Sequence, residues 1–193
     1  MPDSADLSKS SHRRTIVLVG MMGAGKTTLG RRLAPRLDLP FFDADEEIER
    51  AAGMPVSELF ERHGERSFRE GEARVLKRLL EGPPHVLATG GGAVVYEETR
   101  RLIKQHAVSV WIRANVETLA RRATRRDTRP LLRNGNPEEI LRNLAKEREA
   151  FYAQADIHID SQPGPHEATI DTILDALSTW QKSSPNSEKA PSP

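Results

Sequence analysis

The sequence predicts an α/β fold built on a parallel sheet, and two observations support this. Short apolar runs alternate with longer segments of helical periodicity. Glycine-rich or acidic segments directly follow three of these runs. Right-handed crossovers bring the carboxyl ends of parallel strands to one edge of the sheet, where ligands bind. We therefore expect a ligand site at that edge, and the predicted strands are Thr15–Val19, Phe41–Phe42, Val86–Ala88, Val108–Ile112 and Ile157–Ile159.

The first run leads into Gly20–Thr27, which matches the phosphate-binding pattern G-x-x-x-x-G-K-[ST]. The loop stands between a strand-like run and a helical pattern of leucines, as its function requires. Its glycines let the backbone curl so that successive N–H groups face an anion, and the positive end of the helix adds to their field. This segment predicts a site for the phosphates of a nucleotide.

Two side chains of the loop have separate tasks. Lys26 would reach the β- and γ-phosphates, and the Thr27 hydroxyl would be a direct ligand of Mg²⁺, which prefers oxygen. The residues of the loop that we expect to bind the nucleotide are Gly23, Ala24, Gly25, Lys26, Thr27 and Thr28.

The second and third runs also end in residues suited to a site. We expect Asp43 and Asp45, at the end of an extended strand, to point to opposite sides, so that one carboxylate serves Mg²⁺ and the other an acceptor hydroxyl. The alternative is that these acids simply open a helix, whose N-terminus favours negative charge. Gly90–Gly92 offers bare backbone for the close approach of a ligand.

The helix after the phosphate loop contains two residues that disfavour a helix. Pro35 removes a backbone donor and predicts a kink or an early end. Gly30 weakens the helix by about 1 kcal/mol relative to alanine, or it permits close packing on the sheet. The sequence leaves both explanations of Gly30 open.

Length and composition bound the remaining possibilities. A chain of 193 residues fits one domain, which we place at 14–182, between disordered segments at 1–13 and 183–193. The net charge of +1 favours a small ligand over nucleic acid or a membrane. The chain has no cysteine, and no apolar run approaches the ~18 residues of a membrane span. We expect a cytoplasmic protein, monomeric by default.

Six motifs follow one another between about Thr15 and Asp160: Gly20–Thr28 with the following Leu29–Ala34, Phe42–Asp45, Leu59–Arg69, Gly90–Val94, Thr128–Leu132, and Arg148 ahead of Tyr152. In their order and spacing they resemble the shikimate kinases. The resemblance implies a nucleoside-monophosphate-kinase-like fold with strand order 2-3-1-4-5, and transfer of the γ-phosphoryl of ATP to the 3-hydroxyl of shikimate.

The resemblance also implies roles at the acceptor. Arg69 and Arg148 look like a clamp for the substrate carboxylate, which suits the guanidinium fork, although their helical positions alone would predict solvated arginines. Glu72, one turn after Arg69, resembles an acidic supporting group. The residues implied to bind shikimate are Asp45, Phe60, Phe68, Arg69, Glu72, Gly90, Gly91, Gly92 and Arg148, while Thr27 and Asp43 are implied for the metal.

A lid is expected at about residues 125–136, a polar segment with glycine and proline between a strand and a helix. Arg129 would bring a cation to the transferring phosphoryl group, so we assign it a catalytic role with Lys26 and Asp45. Arg122 resembles the arginine that stacks on adenine in relatives, and an ordinary surface arginine is the alternative. The segment Asp160–Gly164 lacks a basic residue for the adenine.

Two other classes remain as alternatives. A gluconate or nucleoside monophosphate kinase would share the phosphate loop, and gluconate would also need arginines for its carboxylate. A non-catalytic nucleotide-dependent switch or scaffold would need neither a lid arginine nor an acceptor-side aspartate. Arg129 and Asp45 therefore favour an enzyme over a switch.

Overall fold

The structure, a computed structural model, describes residues 14–123, 135–161 and 166–183. Within these residues the chain forms five strands and seven α-helices, with a short 3-10 helix at Ala93–Val95. In chain order they are β1 Thr15–Val19, α1 Lys26–Arg36, β2 Phe41–Asp43, α2 Ala44–Ala52, α3 Val56–Leu80, β3 Val86–Ala88, α4 Glu97–His106, β4 Ala107–Arg113, α5 Val116–Ala123, α6 Pro137–Tyr152, β5 Ile157–Asp160 and α7 His166–Ser183.

The five strands form one parallel sheet in the order β2-β3-β1-β4-β5, which confirms the predicted fold. The central strand β1 is buried along its whole length, as its apolar, β-branched sequence requires. Val17 pairs with Leu87 of β3 on one side and with Ser109 of β4 on the other. All five predicted strands are present, and three of them extend one or two residues further.

Helix α1 packs against β3 and α7, and its two unusual residues now have explanations. The helix ends at Arg36, directly after Pro35, so the predicted early end is confirmed. A Cβ atom at Gly30 would collide with the ring of Phe41 and would lie 3.3 Å from Leu18 Cδ1. Gly30 therefore permits close packing of α1 on the sheet.

Helix α3 is broken at Gly64, whose φ of 76° and ψ of 169° are not helical. The break divides the 25-residue segment into two helices. The second, after Gly64, carries Arg69 and Glu72 and buries Leu76 fully in the core.

Several predictions concern residues outside the described ranges. These are the terminal segments up to residue 13 and from residue 184, most of the expected lid with Arg129, and Gln162–Gly164. Among the described helices, none has both the length and the apolar character that a membrane crossing demands.

Candidate active site

One cleft of about 730 Å³ lies at the carboxyl ends of β1, β2 and β3 and brings together the predicted site residues that the structure describes, apart from Ala24. The cleft therefore lies at the edge of the sheet where the sequence predicted a ligand site. The predicted residues that line this cleft are Gly23, Gly25, Lys26, Thr27, Thr28, Asp43, Asp45, Phe60, Phe68, Arg69, Glu72, Gly90, Gly91, Gly92, Arg122 and Arg148. Ala24 is buried beside it, and its amide donates to the Met21 carbonyl at 3.2 Å.

The phosphate loop depends on glycine for both its shape and its packing. Gly25 has a φ of 94° and caps α1, where its carbonyl accepts from the Leu29 amide at 2.8 Å. Gly23 has a φ of 83°, and a Cβ atom there would lie 2.7 Å from the carbonyl oxygen of Leu119 in α5. L-residues with side chains are disfavoured at both positions. The backbone conformation of the loop therefore depends on glycine at both positions.

Lys26 and Thr27 are the first two residues of α1, at the end of the phosphate loop. Lys26 is buried, and its ammonium group donates to the carbonyls of Gly20 at 2.7 Å and Met21 at 2.9 Å. The Thr27 hydroxyl donates to Asp43 Oδ2 at 2.7 Å. A cation and a hydroxyl–carboxylate pair therefore stand side by side at the loop.

The expected extended geometry of Asp43 and Asp45 is wrong. Helix α2 begins at Ala44, so Asp45 lies in the first turn of a helix and not in an extended strand. In a strand, moreover, residues two apart point to the same face of the sheet and not to opposite sides. Asp43 is the N-cap, and its Oδ1 accepts from the Asp45 amide at 3.0 Å. The acids do open a helix, as the alternative held, and Asp43 also contacts Thr27.

The acceptor side of the cleft is built around a buried ion pair. Arg69, only 9% exposed, donates from Nη1 to Glu72 Oε2 at 2.6 Å, and Glu72 is 2% exposed. The Arg69 guanidinium lies over the rings of Phe68 and Phe60, at 5.0 Å and 5.9 Å from their centroids. The position of Arg69 on its helix gave no sign of this burial. Its cation is fixed and largely dehydrated.

Burial shapes the charges of this pair. It raises the pKa of Glu72, although the attraction of Arg69 opposes the rise. Burial also opposes the charge of Arg69, but Glu72, Glu65 and Tyr96 together outweigh it, and the pKa of Arg69 is raised. Glu72 Oε1 has no hydrogen-bond partner within the described part of the chain. A Cβ atom at Gly90 would lie 3.0 Å from this oxygen and 3.2 Å from Asp45 Oδ1, so both carboxylates face the same backbone.

The triple glycine receives the second arginine. Arg148 of α6 is 9% exposed and donates from Nη1 to the Gly91 carbonyl at 3.1 Å. A Cβ atom at Gly92 would meet the Arg69 guanidinium, with Cζ only 2.9 Å away. The two arginines, from α3 and α6, thus converge on Gly91 and Gly92. A carboxylate-bearing molecule would find two buried cations there.

Arg122 lies on the opposite, nucleotide side. It is half-buried in α5, and a Cβ atom at Gly25 would be 3.8 Å from its Nη1. Nη1 is buried and has no hydrogen-bond partner among residues 14–123, 135–161 and 166–183. This placement favours a role at the nucleotide over that of an ordinary surface arginine.

Sequence reasoning missed several residues of the cleft. Val56 and Pro55, at the start of α3, form part of its wall, and His166 lines it from α7. Tyr152 does not line the cleft and was named only as the residue that follows Arg148 in a motif, yet its hydroxyl donates to the Gly91 carbonyl. No local pattern marks these residues, because their roles depend on contacts between distant elements.

The fold and the cleft define a class. A five-stranded parallel sheet, a glycine-rich phosphate loop at the start of α1, and an opposing acceptor pocket with two buried arginines are the features of a P-loop kinase acting on a small anionic molecule.

Comparisons with known proteins narrow this class. The family model described as shikimate kinase matches residues 22–178. Shikimate kinase from Caulobacter vibrioides strain NA1000 is 56% identical over 164 residues, covering 85% of this chain and 82% of that protein. The Novosphingobium aromaticivorans shikimate kinase is 51% identical over 183 residues, covering 92% and 95%. The chain belongs to the shikimate kinase family.

Solved structures agree with this family. Shikimate kinase from Acinetobacter baumannii, solved in complex with shikimate, superposes with a TM-score of 0.85 at 39% identity and covers 92% of this chain and 98% of that one. A gluconokinase from Sinorhizobium meliloti has a TM-score of 0.60 at 16% identity, covering 89% and 95%. At that identity the second likeness concerns the fold alone.

Proposed function

We propose that this protein transfers the γ-phosphoryl group of ATP to the 3-hydroxyl of shikimate, giving shikimate 3-phosphate and ADP in the chorismate route to aromatic amino acids. Family membership supports the reaction, and a relative has been solved with shikimate bound. The observation that carries the proposal is the convergence of Arg69 and Arg148 on Gly91 and Gly92, in the same cleft as Lys26. This pocket matches an acceptor that carries one carboxylate.

Each side of the cleft contributes separately to the transfer. The two arginines bind the carboxylate of shikimate, and Phe60 and Phe68 contact its ring. Asp45 accepts a hydrogen bond from the 3-hydroxyl and takes its proton as the new O–P bond forms. The bond between the γ-phosphorus and its bridging oxygen breaks, and ADP leaves. Lys26 and the loop amides neutralise the charge of the phosphates.

The described residues fit a magnesium ion. Thr27 Oγ1 and Asp43 Oδ2, 2.7 Å apart, are hard oxygen donors that would hold it directly or through water. The described residues include no group of three or more His, Cys, Asp or Glu that could hold a metal alone. Bound Mg²⁺ would supply charge neutralisation at the phosphates, with its remaining ligands from water and the nucleotide.

Three parts of the proposal extend beyond this geometry. Arg129, in a lid at about residues 125–136, is assigned to the charge of the transferring phosphoryl group. Arg122 is assigned to the adenine, on the basis of its place beside Gly25. A monomer that acts in the cytoplasm completes the proposal.

The direct test is ADP formation from ATP with and without shikimate, in the presence and absence of Mg²⁺. We expect turnover that needs both. Gluconate and nucleoside monophosphates serve as competing acceptors, and faster turnover with either of them would contradict the proposal. Nucleotide binding without turnover on any acceptor would indicate a switch.

Arg129→Ala should lower kcat more than it weakens shikimate binding, because the charge of Arg129 acts in the transition state.

A further inference from the structure

Tyr152, the last residue of α6, contacts both loops that form the cleft. Its side chain is 1% exposed, and its hydroxyl donates to the carbonyl of Gly91, in the loop after β3. The same oxygen lies 3.5 Å from Met21 Sδ, in the phosphate loop. One hydroxyl group therefore contacts both the phosphate loop and the glycine-rich loop after β3.

These two loops also touch each other directly. A Cβ atom at Gly91 would lie 3.1 Å from the amide nitrogen of Met22. No side chain fits between Gly91 and Met22, so the two loops meet through their backbones. Any displacement of Gly91 therefore changes the spacing between the two loops. The carbonyl of Gly91 is thus the point at which the spacing between the two loops can be controlled.

The Tyr152 ring is held by the sheet. It stacks on Trp111 of β4 with centroids 5.7 Å apart and an interplanar angle of 24°. Trp111 in turn packs against the ring of His158 in β5, edge to face, at 5.2 Å. Aromatic rings packed in this way have little freedom, so the hydroxyl is presented at a fixed place.

The hydroxyl remains a donor over the working pH range. Burial raises the pKa of Tyr152 to about 12, although the charge and hydrogen bond of Arg148 oppose the rise. Arg148, one helical turn earlier, also donates to the Gly91 carbonyl. Two donors of α6 thus fix one carbonyl oxygen, and only Arg148 is assigned to the substrate.

We propose that Tyr152 is a positioning residue, whose hydroxyl fixes the spacing between the phosphate loop and the glycines that receive shikimate. This inference rests on the proposed function. Phosphoryl transfer depends on the distance between the attacking oxygen and the phosphorus, and displacements of about 1 Å can cost about 10²-fold in rate. Tyr152 acts on that distance without touching either substrate.

The test is Tyr152→Phe, which keeps the ring and removes the hydroxyl. We expect kcat with shikimate to fall about 10-fold, as for the loss of one buried hydrogen bond. The KM values for ATP and shikimate should change much less, because the ground-state contacts of Lys26, Arg69 and Arg148 remain. Kinetics are measured well below the thermal midpoint of each variant.

Ile173→Val in α7 is the matched control, since Ile173 is fully buried and does not line the cleft. It should lower the thermal midpoint and leave kcat unchanged. Trp111→Phe should lower kcat less than Tyr152→Phe, because it loosens the ring but keeps the hydroxyl. A wild-type kcat in Tyr152→Phe, or an equal loss of kcat in Ile173→Val, would overturn the inference about Tyr152 and leave the proposed function intact. Absence of shikimate-dependent turnover in the wild type would overturn the proposed function as well.

Discussion

The two sides of the cleft are built in different ways. The donor side consists mainly of one continuous segment, Gly20–Thr28, with Arg122 of α5 beside it, and the shape of this segment follows from glycines with positive φ. The acceptor side collects side chains from α2, α3 and α6 around Gly90–Gly92. It contains the buried pair of Arg69 and Glu72, whereas the donor side buries the ammonium group of Lys26.

Because of this difference, the donor side recognises a whole class of ligands, whereas the acceptor side recognises a particular substrate. Backbone N–H groups and a lysine suit any polyphosphate, so the loop alone indicates a nucleotide and no more. Buried guanidinium groups disfavour an acceptor that lacks a carboxylate, because their remaining N–H donors would then stay without a partner. The identity of the substrate therefore depends on contacts between residues far apart in the chain.

The donor side should give the largest effect on rate. Lys26→Met removes the buried cation at the phosphate loop, and we expect kcat to fall on the order of 10²–10³-fold. The KM for shikimate should change little, because Lys26 is assigned to the phosphates. Steady-state kinetics with each substrate varied in turn measures both values. A normal kcat would show that the charge of Lys26 is not used in the transfer.

The acceptor side should be sensitive to one methyl group. Gly92→Ala places a Cβ atom against the Arg69 guanidinium, and we expect the KM for shikimate to rise about 10-fold. Gly71→Ala, in α3, is the control, because the atom nearest to its Cβ is Arg74 Nη2 at 4.0 Å. It should stabilise the protein slightly and leave the kinetics intact. An equal KM in both variants would contradict the assigned position of Arg69.

A third change affects stability at a place remote from both sides. His85 precedes β3, where its Nδ1 lies 2.8 Å from the Pro83 carbonyl oxygen. Burial lowers the pKa of His85, and the Pro83 carbonyl only partly opposes this. The unfolded chain therefore binds the proton more tightly. The stability contribution of neutral His85 is complete above the ordinary pKa of about 6.5 and is lost as the pH falls below it.

His85→Asn keeps a donor near Pro83 and cannot titrate. Its free energy of unfolding should fall less than that of the wild type between pH 7.5 and pH 5, as urea unfolding would measure. The same substitution at exposed His63 should leave the wild-type pH dependence unchanged. Parallel curves for wild type and His85→Asn would show that His85 does not carry this dependence.

The smallest effect is expected from the terminal segments. Removal of residues 1–11 and 184–193 should leave both kcat and the thermal midpoint nearly unchanged, because their polar sequences offer little to a core. Differential scanning fluorimetry and the coupled assay measure the two quantities. A fall of several degrees in the midpoint would show that at least one segment packs on the domain.

The donor side could be predicted from sequence because its residues are consecutive. The glycines, Lys26 and Thr27 form a pattern whose geometry is local, and the strands were recognisable as short apolar runs. Gly30 needed the structure, since its explanation is the ring of Phe41. The predicted extended geometry of Asp43 and Asp45 was wrong because α2 begins directly after β2, so that Asp45 is helical.

The acceptor side could be predicted only through resemblance to a family. Nothing in the helical pattern around Arg69 or Arg148 distinguishes a buried arginine from a solvated one. Their burial arises from the packing of α3 and α6 on the loop after β3. The contact of Tyr152 with Gly91 joins residues 61 positions apart, so no short motif reports it.

The most direct test concerns the two buried arginines, since they define the acceptor. It compares kcat/KM for shikimate and for its methyl ester, in which the carboxylate charge is absent. The wild type should prefer shikimate by about 10²-fold. The double variant Arg69→Met/Glu72→Gln removes the pair together and so avoids leaving one buried charge without a partner. It should lose most of this preference while the KM for ATP stays unchanged, and Arg69→Lys should keep part of it. Full preference in the double variant, or loss of ATP binding with normal shikimate saturation, would contradict the account.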